Sequence, residues 1–119
     1  MNAMINTVTE FSIMNEAVRS LTHCEQPVER IYLLNAEELG QEHISPDHLN
    51  FVVIVKTVFG ESGTRWNAIR RFDEAIAFLP VSKDVFVYSF NEWASEEDPV
   101  LDEARIKGDL IYDRASTTA

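Results

Sequence analysis

Apolar residues near the start of the chain recur at the three- and four-residue spacing of an amphipathic helix. The apolar residues lie within Met4–Thr22, the helix is predicted to begin at about Thr7 or Thr9, and Pro27 prevents its continuation. A second stripe predicts a helix that begins after a cap at Ser62 or Thr64 and stops at Pro80. Its apolar positions, of which we expect the aromatic ones to lie in the core, are Trp66, Ile69, Phe72, Ile76 and Leu79.

Runs of β-branched and aromatic residues predict the strands. Asn50–Val58 is a continuous apolar run typical of a strand that is buried on both faces, so we expect it at the centre of a sheet. Asp84–Phe90 predicts a second strand, joined to the first by a helical crossover. Arg30–Leu34 predicts a short buried strand and Leu110–Tyr112 an edge strand. Phe86, Tyr88 and Phe90 alternate and should share one face, which becomes an interaction surface if the long helices leave it uncovered.

The remaining segments are polar or broken by glycine and proline. Asn35–Asp47 is expected to form an irregular loop with at most one helical turn, and Asn91–Asp98 an acidic connection. Pro99–Lys107 predicts a short helix that ends at Gly108. We therefore predict a single α/β domain over residues 1–119, with a mixed sheet of three to four strands, helices packed on one side, and a disordered tail over 115–119.

Charge and composition narrow the classes of function. The 119 residues carry 20 Asp and Glu against 10 Lys and Arg, a formal charge of −10, which disfavours nucleic acid as a partner. Such charge serves solubility or the recognition of a basic partner protein. The sequence has no apolar run near the roughly 20 residues that cross a bilayer and no signal-peptide pattern, so we expect a cytoplasmic protein. With Cys24 as its one cysteine, the chain cannot form an internal disulfide.

Standard catalytic motifs are missing: the sequence has no Gly-rich phosphate loop, no HExxH and no Gly-x-Ser-x-Gly. The informative feature is a set of polar residues at the predicted strand starts. Asp47, His48 and Asn50 lead into the Val-rich strand, and Asp84 opens the next one. One interpretation is that these residues only turn and cap the chain. The other is that they are what remains of a metal or nucleotide site.

This order of parts resembles the minimal nucleotidyltransferase domain of the polymerase-β-like superfamily, over about Glu29 to Tyr112. In that family a first strand ends in Gly-Ser, a further Gly follows, an Asp-x-Asp pair begins the next strand, and a third Asp opens the strand after a crossover helix. Asp84 matches the third Asp. The family-like ending Glu-x-x-x-x-Gly-x-x-x-Tyr is formed by Glu103, Gly108 and Tyr112.

The resemblance also assigns the site residues, and here this sequence departs from the family. Asn35 and Ala36 stand in place of Gly-Ser, and Gly40 matches the later Gly, so these three would face the nucleotide. The Asp-x-Asp pair falls on Asp47 and Leu49, or, after a one-residue insertion, on His48 and Asn50, and neither register supplies two carboxylates. The resemblance gives Asp47 and Asp84 the catalytic role. The ligands of Mg²⁺ would be Asp47, Asp84, His48 and Asn50.

Three hypotheses follow. The preferred one is a degenerate nucleotidyltransferase-like protein that binds or regulates a partner, in the manner of the antitoxins that the family pairs with all-helical HEPN-class toxins. The alternative is an active Mg²⁺-dependent enzyme that moves a nucleoside monophosphate from NTP to a hydroxyl of a partner protein or RNA; without that activity no cofactor is expected. The third is an unrelated α/β binding module. The residues leave the oligomeric state open, a homo-oligomer included.

Overall fold

Four strands form one mixed sheet in the computed structural model, which describes residues 3–24, 27–41, 48–56, 59, 63–95 and 97–117. The strands are β1 (Val28–Asn35), β2 (Leu49–Val55), β3 (Lys83–Ser89) and β4 (Asp109–Asp113). The helices are α1 (Ala3–Thr22), α2 (Thr64–Ala75), α3 (Phe90–Ser95), α4 (Pro99–Lys107) and α5 (Arg114–Thr117), and Glu37–Leu39 forms a 3-10 helix after β1. No helix within the described residues is long and apolar enough to span a membrane.

The strand order is β3-β2-β1-β4. β2 runs parallel to β3 and antiparallel to β1, which in turn pairs antiparallel with β4. Phe51 to Val55 of β2 are fully buried, which confirms the prediction of a central strand. The parallel pairing places Asn50 opposite Asp84, and α2 supplies the predicted crossover between the two strands.

Side chains alternate along the strands and build two cores, one on each face of the sheet. On one face β2 and β3 pack against the two long helices through Leu21 of α1 and Phe72 of α2. On the other face Val52 and Ile54 pack against Leu101 of α4, and Trp93 of α3 stacks on Tyr32 with ring centroids 4.8 Å apart. The α/β class and the mixed four-stranded sheet are confirmed. The predicted packing of helices on one side describes α1 and α2. Helices α3 and α4 pack on the opposite side of the sheet.

That second helical layer changes two expectations. Phe86 and Tyr88 on β3 are partly buried and pack against the second core, whereas Phe90, predicted to share their face, begins α3 and is exposed. Part of the predicted acidic connection is helical: α3 begins directly after β3 and ends at Ser95. At the other end of the chain, the start of the predicted tail forms the short helix α5.

The prediction that Trp66 lies in the core is wrong. Its side chain is 72% exposed, whereas Ala68 and Phe72 are the buried residues of α2. Helical spacing of the large apolar residues predicts Trp66 on the buried face, yet the small Ala68 is buried and the large Trp66 is exposed. Phe72, in contrast, is fully buried as expected.

Candidate functional site

The predicted site residues meet at one end of the sheet, where β1 ends and both β2 and β3 begin. Antiparallel pairing places Asn35 opposite Leu49, and the parallel pairing places Asn50 opposite Asp84. Three segments with polar side chains therefore converge at the same edge. Asp47, the remaining residue of the predicted set, lies outside the described residues.

His48 and Asp84 form a hydrogen-bonded pair at this edge. The imidazole Nε2 lies 2.9 Å from Oδ2 of Asp84. His48 is 7% exposed, whereas the Asp84 side chain is 54% exposed, so the ring lies beneath a carboxylate that faces solvent. A neutral ring that donates from Nε2 leaves Nδ1 as an acceptor, and this buried nitrogen has no hydrogen-bond partner in the described part of the chain.

Asn50 lies on the same face as Asp84 and is fully buried. Its Nδ2 donates to Oε1 of Gln41 over 2.9 Å, and its Oδ1 has no partner among the described residues. Leu49, between the two polar residues, packs with the α1 and α2 layer on the opposite face. The structure thus brings His48 and Asn50, and not Leu49, to Asp84.

The segment expected to face a nucleotide is a tight turn. Oδ1 of Asn35 accepts a hydrogen bond from the backbone N–H of Glu38 at 3.2 Å, within the first turn after β1. Ala36 is 1% exposed, and its carbonyl accepts from the backbone N–H of Gln41 at 2.9 Å. Gly40 has φ +68°, a left-handed conformation that favours glycine, and it ends the turn. The side chain of Asn35 is therefore engaged by its own backbone.

Sequence reasoning missed Gln41, which holds the amide of Asn50. No motif includes this residue, because its role depends on the turn at Gly40 that returns the chain to the sheet. The signal that could have found it is indirect: a fully buried Asn on a central strand needs a polar partner. Gln41 is the first polar side chain after the turn.

Among the described residues, the donor set at this edge does not fit a pair of Mg²⁺ ions. Magnesium prefers anionic oxygen ligands in near-octahedral geometry, and two-metal catalysis needs several carboxylates. Here one position carries an imidazole and the other a neutral amide, and the single described carboxylate, on Asp84, is bonded to the imidazole. Within the described residues, no group of three or more His, Cys, Asp or Glu side chains is arranged to hold a metal ion.

Comparisons with known proteins agree with this fold. No protein-family model matches the sequence, and no curated protein matches it significantly. Among solved structures, the chain is similar to one in a crystal structure of a toxin–antitoxin with AMP-PNP, with a TM-score of 0.53 and 15% identity over 87% of this chain and 76% of that one. It is also similar to a chain of the toxin–antitoxin MntA-HepT, with a TM-score of 0.52 and 12% identity over 88% and 74% of the two chains.

The chain therefore shares the α/β fold of chains in these toxin–antitoxin structures. This fold agrees with the one that the resemblance in the sequence implied. What differs is the set of side chains at the edge of the sheet.

Proposed function

We propose that this chain is an antitoxin-like protein that keeps the nucleotidyltransferase fold and acts by binding a protein partner. The observation that carries the proposal is the state of the strand-end residues. Asp84 is bonded to His48, and the amide of Asn50 is bonded to Gln41, at the edge where the fold would need a group of carboxylates for two-metal catalysis.

The comparisons support the choice of partner. The similar structures are toxin–antitoxin assemblies, so a toxin is the favoured class of partner. We propose an all-helical HEPN-class toxin, which the family resemblance implies. The formal charge of −10 favours a partner with a basic surface, because complementary charge speeds association and selects against acidic competitors.

The proposal includes a cytoplasmic location. A chain whose single cysteine is free suits a reducing compartment. It needs neither nucleotide nor Mg²⁺. The alternative is an active nucleotidyltransferase. Only that alternative uses the nucleotide- and metal-binding roles that the resemblance gives to Asn35, Ala36, Gly40, Asp47 and Asp84.

Co-expression tests the proposal. The wild-type chain and Asp84→Asn are each produced together with a candidate all-helical HEPN-class toxin, and growth of the cells is compared. Neutralisation by binding predicts that both forms restore growth and co-purify with the toxin. Asp84→Asn leaves the exposed side chain able to accept from His48, so the fold should persist.

Two outcomes would overturn the proposal. Rescue that is lost in a folded Asp84→Asn variant, together with a toxin that carries an added nucleoside monophosphate in mass spectrometry, would show an active enzyme. Failure of the wild-type chain to restore growth or to co-purify would remove the antitoxin role.

A further inference from the structure

A cavity of about 550 Å³ opens between the 3-10 helix and α4, on the face of the sheet that carries Asp84. Gly40 and Gln41 form one wall, and α4 forms the other. The volume lies within the range of small-molecule and side-chain binding pockets. Neither His48 nor Asp84 lines the cavity, and Gln41, which holds Asn50, lies between the cavity and the strand-end site.

The charged lining of this cavity is predominantly negative. It contains Glu37, Glu38, Glu103 and a single basic residue, Lys107. The ammonium of Lys107 lies 3.2 Å from Oε2 of Glu103, so its charge is directed at that carboxylate. Glu37 and Glu38, in contrast, form no salt bridge with another described residue, although Lys107 attracts Glu38 at longer range.

Glu38 is the carboxylate most in need of a cation. Its Oε2 is buried and has no hydrogen-bond partner within the described residues. Asp109, at the start of β4, adds a further negative charge close to it. A buried carboxylate oxygen without a donor is unfavourable, and a cationic donor would remove the penalty.

The apolar part of the lining decides what kind of cation fits. Leu39, Phe86, Pro99 and Val100 contribute apolar surface beside the carboxylates. A hydrated metal ion gains nothing from such surface, and the described residues offer no group of three metal ligands. An alkyl stem that ends in an ammonium or guanidinium group gains from both parts, since the stem packs on apolar atoms and the head pairs with the carboxylate.

We propose that this cavity binds an ammonium or guanidinium group carried on an apolar stem, with Glu38 as its principal charge partner. The group comes either from a free alkyl amine or guanidine or from a basic side chain of a protein. A nucleoside triphosphate without a bound metal ion is disfavoured, because its phosphates would meet the carboxylates. The inference rests on the cavity and does not depend on the antitoxin role.

Calorimetric titration of the full chain with two probes tests the proposal. Agmatine represents a free guanidinium compound, and N-acetyl-arginine amide represents an arginine side chain in a polypeptide. N-acetyl-citrulline amide, the neutral isostere, is the ligand control. We expect saturable binding of one or both cations, no binding of the citrulline compound, and a loss of affinity on the order of tenfold in Glu38→Gln.

Matched variants make the result specific. Glu74→Gln removes the same charge from the exposed surface of α2 and should leave the affinity unchanged. Glu103→Gln provides a second change within the cavity, and circular dichroism shows that each variant is folded. Binding of agmatine alone assigns a small-molecule ligand, and binding of the arginine amide assigns a protein side chain. Absence of binding at millimolar concentration, equal binding of the citrulline compound, or an unchanged affinity in Glu38→Gln would overturn the proposal.

Discussion

At the residue scale, His48 is a buried ring whose one polar contact in the described chain is to a carboxylate that faces solvent. His48→Ala leaves a void beside the start of β2 and removes the hydrogen bond. We expect it to lower the free energy of unfolding by about 1–3 kcal/mol. Asp84→Asn keeps an acceptor for Nε2 on an exposed side chain, so its effect should stay below about 1 kcal/mol.

Urea denaturation of both variants measures this difference. If the pair stabilises the fold through the buried ring, His48→Ala should be much less stable than Asp84→Asn. Equal destabilisation by Asp84→Asn would mean that the carboxylate, and not the ring, holds the strand end together.

Glu38 supplies a second prediction at this scale. Burial is the main factor that raises the pKa of this carboxyl above its ordinary value of 4.5. The negative charges of Asp109 and Glu103 add to the shift, whereas Lys107 and the backbone hydrogen bond at Asn35 oppose it. A cation bound at Glu38 favours the ionised form and so lowers the pKa again.

Binding of agmatine should therefore release protons at a pH near the raised pKa, and its affinity should fall as the pH drops through that value. Titrations in buffers of different ionisation enthalpy measure the release. The free protein should lose stability as the pH rises from 4.5 through the raised value, because the folded state holds the proton more tightly than the unfolded state. Glu38→Gln should abolish both effects, and proton release that persists in this variant would place the titrating group elsewhere.

At the scale of elements, α3 is held by a capping box. The backbone N–H of Glu92 donates to Oγ of Ser89 at 3.1 Å, and the backbone N–H of Ser89 donates to Oε1 of Glu92 at 2.9 Å. Arg65 of α2 donates to the other carboxylate oxygen of Glu92 and, over 2.8 Å, to the carbonyl of Val87. One glutamate thus joins α3, β3 and α2.

The pKa of Glu92 reflects this arrangement. Burial raises it, but the hydrogen bonds from Arg65 and Ser89 outweigh burial and hold the pKa below its ordinary value of 4.5. The contribution to stability is present above pH 4.5 and is lost as the pH falls through the lowered value. We predict that Glu92→Gln destabilises the fold by about 1 kcal/mol at neutral pH and by less in acid.

Thermal or urea unfolding at several pH values checks this prediction. Glu97→Gln, at an exposed position on the same acidic segment, removes the same charge and should change little. A similar loss in both variants would point to net charge, and not to the capping box, as the cause.

The elements also show what the sequence could and could not predict. The strands were predictable because β-branched runs such as Val52–Val55 are long and uninterrupted. Helix α3 was missed although Ser89 and Glu92 carry the capping-box spacing, because the helix is only six residues long and lies in an acidic stretch. The exposure of Trp66 was not predictable from periodicity, since the second helical layer and the rotation of α2 are set by tertiary packing.

The candidate site was also predictable only in part. Proximity of Asp84 to the start of β2 follows from parallel pairing across a crossover, which the sequence predicts. The contact between His48 and Asp84 could not be predicted, because two registers of the degenerate motif were open. The alternation of side chains along β2, which places Leu49 on the opposite face, decides between them. Asp47 lies outside the described residues, so its catalytic role remains a prediction.

At the scale of the whole molecule, two helical layers enclose a sheet that matches the toxin–antitoxin structures over most of the chain. The α1 and α2 layer forms the larger core. The α3 and α4 layer carries the acidic cavity and covers the face on which Asp84 lies. The core residues, and not the polar strand ends, contribute most of the buried apolar surface that stabilises this fold.

Our central proposal is that this chain has the fold of the toxin–antitoxin chains that it is similar to, without a metal-dependent nucleotide site. Calorimetric titration with ATP and GTP, in millimolar Mg²⁺ and separately in Mn²⁺, tests it most directly, with Asp84→Asn as the matched variant. We predict no saturable, metal-dependent binding up to millimolar nucleotide in either form. Saturable binding that requires the metal and is lost in Asp84→Asn would contradict the claim and establish a working site at the edge of the sheet.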